Sequence, residues 1–114
     1  MTTPTIRRLP SWAPMAGLTL GSTVLLKRGQ ESCLAHELVH VAQQAQDGFL
    51  RFAWRYATSA AWRVRYEAPA YAVDVRNRRH TLDSAARALS GPLYWRPCSY
   101  DEARVAIQRA MEGA

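Results

Sequence analysis

No run of about 18 apolar residues occurs in the chain, so no membrane-spanning helix and no bilayer insertion are expected. Cysteine is scarce, with Cys33 and Cys98 the only two in 114 residues. Two thiols make no disulfide framework and fit a reducing compartment, where both are expected to be ordinary buried thiols. A secretory leader is not expected either. Arg7 and Arg8 are followed by residues 15–20 as the nearest apolar stretch, which is too short and contains Gly17. These shortages together predict a cytoplasmic protein. Lysine is nearly missing: one lysine and fourteen arginines face nine acids, for a net charge of +6. An arginine excess can mark a nucleic-acid partner. Here the arginines are dispersed, only Arg76, Arg78 and Arg79 cluster, and no nucleic-acid-binding motif accompanies them. Solvated helix faces are the better reading, and nucleic acid is not an expected partner.

What is present is a chain of ordinary apolar content, 48%, and a length that suits one modest core. The Pro-rich residues 1–16 are expected to be irregular, with Trp12 packed on the body, and residues 17–114 to form a single domain. The pattern predicts a mainly α fold with a short strand or hairpin. Residues 18–26 are β-branched and bounded by Gly17 and Gly29, which reads as that strand or hairpin.

Histidine is rare as well, three residues in all, yet two of them stand four apart in His36-Glu37-Leu38-Val39-His40. This is the His-Glu-x-x-His pattern of zinc hydrolases. Residues four apart on a helix lie one turn apart on the same face, so both imidazoles can reach one metal ion. Glu37, next to the first histidine, is placed to take a proton from a water at that metal. Leu34, Leu38, Val39 and Val41 give the helix an apolar setting in which an unpaired His or Glu would be costly. Ser32 or Gln30 is a candidate cap and Gly48 the stop, for a helix over roughly residues 31–46. The bland alternative is a surface helix with two unrelated histidines.

Zinc in a catalytic site takes three protein ligands and leaves a fourth position for water. The candidates for the third are His80, Cys33, Cys98 and the downstream acids. Glu67 stands out, because Pro69 is best tolerated in a helix's first turn. That would put Glu67 at a helix N-terminus, where the macrodipole favours its ionised form. The alternative is an acid that only complements the dipole. Asp74, seven residues on, shares the face of Glu67 and could orient a ligand histidine. A solvated charge is the preferred reading for Asp74, and a surface position for His80.

The segment from His36 through Gln43-Gln44 resembles the small zincin-like metallopeptidase domains of bacteria and phages. So do Gly48-Phe49, the aromatic Trp54-Arg55-Tyr56, Tyr66-Glu67 and Ala70-Tyr71. The resemblance covers about residues 17–78. It implies His36, His40 and Glu67 as zinc ligands, Glu37 as general base, and a peptide or protein substrate. In such domains an edge strand beside the motif helix pairs with extended substrate. Residues 18–26 stand in the right place for that, and a purely structural strand is equally compatible with them.

Further along, residues 49–62 carry Phe49, Phe52 and Tyr56 at helical spacing, expected as core. Residues 62–65 read as a crossover, 67–79 as a helix and 82–89 as a short helix before Gly91-Pro92. Residues 93–97 read as a loop. Ser99-Tyr100-Asp101-Glu102 matches a capping box opening a helix through Met111. The functional expectation is a zinc-dependent peptidase, with Tyr66, Tyr71, His80 and Arg65 as candidate oxyanion stabilisers. Two alternatives accompany it: a non-catalytic zinc-binding adaptor and a basic nucleic-acid-binding protein.

Overall fold

In the computed structural model, which describes residues 3–113, the chain is mainly helical with a small three-stranded sheet. It divides into two compact units, Met1–Ala53 and Trp54–Ala114.

The first unit is built on a hairpin. Strands β2 (Gly17–Leu20) and β3 (Thr23–Leu26) pair antiparallel with Leu20 opposite Thr23. The two-residue loop between them needs a left-handed residue, and Gly21 supplies it at φ +63°. Alternation along β3 buries Val24 and Leu26, which pack with Cys33, Ala16, Leu34 and Val41. The expected strand or hairpin is therefore a hairpin. The other edge of β3 pairs in parallel with β1 (Thr5–Arg8), inside the stretch expected to be irregular. All four β1 residues are exposed, so the strand carries no inward-outward alternation for the sequence to display. Backbone pairing to β3 holds it. Trp12 does not pack on the body; it is 83% exposed.

A 3-10 turn at Glu31–Cys33 leads into helix α1 (Leu34–Asp47) without a side-chain cap from Gln30. Gly48, at φ +85°, ends α1 as expected, its N–H bonded to the Gln44 carbonyl. The apolar setting expected around the histidines is reversed in part. The buried residues of α1 are His36, Glu37, His40 and Gln44, whereas Leu38 is exposed.

Helix α2 (Phe49–Thr58) ends earlier than its aromatic stripe suggests. Phe52 is buried, but Leu50 and Trp54 are exposed. The expected crossover at 62–65 is helical. Ser59 caps a helix α3 that runs without a break over Ala60–Arg76, its side chain accepting from the Trp62 N–H. Pro69 therefore lies inside a helix and not in its first turn. A proline there forfeits one backbone bond and costs about 3 kcal/mol. The burial of Ala68, Ala70, Tyr71 and Ala72 around it offsets that cost.

The second unit's core joins α3 to α4 (Leu82–Leu89) and α5 (Tyr100–Glu112) through Tyr71, Ala85, Leu89, Ala103 and Ile107. Part of the expected loop at 93–97 is a short 3-10 turn, Pro92–Tyr94, followed by Trp95 and Arg96 in left-handed conformation.

The predicted capping box at α5 is present, with Ser99 and Glu102 bonded reciprocally. The Ser99 N–H and hydroxyl hold the Glu102 carboxyl below the usual carboxylate range. Because the folded value is depressed, this contribution is present above the ordinary glutamate range. It is lost as pH falls through the lowered value. Urea denaturation should accordingly show Glu102→Gln less stable than the parent at pH 7, with the gap closing towards pH 3. A constant gap would assign Glu102's effect to something other than its charge.

Candidate metal centre

His36 and His40 project from the buried face of α1 one turn apart, with ring centroids 5.2 Å apart and planes at 70°. The spacing and the helix geometry alone produce this pairing. Gln43 adds a constraint. Its amide oxygen lies 2.9 Å from His40 Nδ1. A proton on Nδ1 donated to that oxygen leaves the coordinating lone pair on Nε2, the tautomer a metal ligand needs. Phe52 packs edge-on against the same ring at 6.1 Å.

Glu37 is buried beside the histidines and is held by the hairpin. Thr19 of β2, itself buried, places its hydroxyl 2.9 Å from Glu37 Oε1 and 3.1 Å from the Glu37 carbonyl. Gln44 fastens the same strand to α1. Its amide donates to the Thr19 carbonyl at 3.1 Å, and its oxygen accepts from the Gly21 N–H. β2 is an edge strand, as substrate pairing would require, but its Thr19 carbonyl is already engaged by Gln44.

Glu67 belongs to the second unit. It sits in the middle of α3, about two turns from the N-terminus, beyond the first turn in which the macrodipole expected to favour its ionised form acts. Its partner is instead a hydroxyl. The Tyr56 hydroxyl donates to Glu67 Oε2 at 2.6 Å, a charge-assisted bond of a kind worth about 1.5–3 kcal/mol. Tyr56 is in turn set by Arg63, a buried guanidinium that donates to the carbonyls of Tyr56 (2.9 Å) and Tyr94 (3.1 Å).

Asp74 is not the solvated charge expected of it. It is 1% exposed and pairs with Arg79 at 3.6 Å. His80 is half-buried and not a surface residue. Its ring lies 5.4 Å from Tyr71 and its Nδ1 3.0 Å from Ser84 Oγ. Tyr66 stacks on Trp62, and Arg65 is exposed over the same indole. Tyr71 shares a 2.9 Å hydrogen bond with Tyr94, and burial pushes both phenols well above the ordinary tyrosine value. Both therefore stay protonated throughout the neutral range. Cys33 is buried and Cys98 half-buried, and neither forms a disulfide among the described residues.

His36, His40 and Glu67 are each buried, and as donors the three could hold a metal ion. No family model, curated protein or solved structure matches this chain. Among the described residues, no helix is long and apolar enough to cross a membrane.

Sequence reasoning missed Thr19, Gln43, Tyr56 and Arg63. Gln43 left a signal, three residues after His40 and so on its helical face. Tyr56 was visible only as part of an aromatic stripe. Thr19 and Arg63 reach partners too distant along the chain to read locally.

Proposed function

We propose that this protein is a zinc-dependent peptidase in which His36, His40 and Glu67 hold the metal and Glu37 is the general base. The observation that carries the reading is the burial of Glu37 on the same helix face as two histidines one turn apart. A metal site that is only structural requires no carboxylate there. The donor set fits zinc: two imidazoles and a carboxylate are a common catalytic ligand set, with the fourth position left to water. Gln43 and Tyr56 are the outer partners that orient ligands in such a site.

Bound there, zinc would polarise the scissile carbonyl and acidify the attacking water. Glu37 would then be the residue that takes a proton from the attacking water and passes it to the leaving amine. Tyr71 or Tyr94, protonated at neutral pH, is a phenol of the kind that stabilises a developing oxyanion.

The test is metal analysis of the purified chain together with cleavage of an unfolded protein, with and without chelator. About one zinc per chain and chelator-sensitive cleavage are expected. Glu67→Ala should lose most of its zinc. Full zinc in Glu67→Ala would remove it from the ligand set, and zinc without any cleavage would make the centre structural.

A further inference from the structure

We infer that Thr19 is a positioning residue that holds the carboxylate of Glu37 in its working orientation, and that Gly17 keeps the space for it. The inference rests on the reading of Glu37 as general base.

Thr19 and Gly17 lie on β2 with one residue between them, so both side-chain positions face the same side of the sheet, the side on which α1 packs. The Thr19 hydroxyl has one proton and two acceptors in reach, Glu37 Oε1 at 2.9 Å and the Glu37 carbonyl at 3.1 Å. An ionised carboxylate is the stronger acceptor and takes the proton. One oxygen of Glu37 is then tied to the sheet, and the rotation that would carry the carboxylate away from a bound water is restrained.

Gly17 leaves the space that this side chain occupies. A Cβ built there would stand 3.1 Å from Glu37 Cγ, 3.2 Å from Glu37 Cδ and 3.1 Å from Leu26 Cδ2. A side chain there would press on both Glu37 and Leu26, which would have to give by a few tenths of an ångström. Gln44, bonded to the Thr19 carbonyl and the Gly21 N–H, keeps β2 at this distance from α1. Helix and hairpin together thus form a socket for one carboxylate. A general base is effective only within hydrogen-bond reach of the proton it removes, and small misplacements can cost large factors in rate.

The experiment compares the parent with Thr19→Val, Thr19→Ser and Gly17→Ala in cleavage of an unfolded protein, with zinc content measured in each. Thr19→Val should retain zinc and KM while kcat falls by about tenfold or more. Thr19→Ser, which keeps the hydroxyl, should restore most of kcat. Gly17→Ala should lower kcat with Thr19 intact. A second readout is independent of activity. In a double-mutant cycle of Thr19→Val with Glu37→Ala, urea unfolding should show the two changes coupled by at least about twofold in the unfolding equilibrium. Unchanged kcat in Thr19→Val, or no coupling in the cycle, overturns the positioning role while the peptidase reading stands. Absence of cleavage by the parent overturns both.

Discussion

Glu37→Gln is expected to keep one zinc per chain and to lose at least about 10²-fold of peptide hydrolysis. The substitution removes the charge and the proton-accepting capacity but preserves the shape. The amide oxygen can still accept from Thr19, 2.9 Å away, so the side chain stays in its socket and the fold is undisturbed. His36 and His40 are untouched, so the metal stays. Zinc content and initial cleavage rates of parent and variant decide the matter. If the variant cleaves as fast as the parent, another group activates the water, and Glu37 is a buried acid without a catalytic part.

His40→Ala is expected to lose the metal itself. His40 supplies a ligand and is oriented by Gln43 at 2.9 Å. Losing an outer partner of this kind costs roughly 10–100-fold in metal affinity, and losing the ligand costs more. The effect should also appear in stability. Zinc at about 100 times its Kd stabilises the folded chain by about 2.7 kcal/mol, seen as a rise in Tm on adding metal. That rise should vanish in His40→Ala and survive in Gln43→Ala at higher zinc concentration. Zinc stoichiometry and a Tm response equal to the parent's would place the metal elsewhere.

The two predictions separate binding from chemistry. A zinc-free but folded His40→Ala with an inactive, zinc-loaded Glu37→Gln is the pattern of a hydrolytic centre. Loss of folding in His40→Ala, with no cleavage by the parent, is the pattern of a structural metal.

Features encoded within a turn or two of chain were legible from the residues themselves. The one-turn spacing of His36 and His40 places both rings on one helix face wherever that helix goes. Gly48 at φ +85° and the Ser99–Glu102 box terminate and open helices through contacts three or four residues long. That residues 18–26 form a strand or hairpin follows from their β-branched residues between Gly17 and Gly29; the pairing across Gly21 decided for the hairpin. The mainly α character follows from the same local signals.

Tertiary structure decided the rest, because the deciding contacts join residues far apart in sequence. Pro69 read locally as a helix start, yet the packing of Ala68, Ala70, Tyr71 and Ala72 carries α3 through it. That moved Glu67 to mid-helix and replaced the macrodipole with the hydroxyl of Tyr56, eleven residues away. Asp74 read as a solvated charge until burial and Arg79 enclosed it. The buried face of α1 is its polar one, because Thr19 meets Glu37 across 18 residues and Gln44 meets Thr19 across 25. An apolar pattern foretells which side of a helix shuns water. It cannot foretell a polar face whose groups are all satisfied, because the partners that satisfy them lie on other elements and meet them only when the chain is folded.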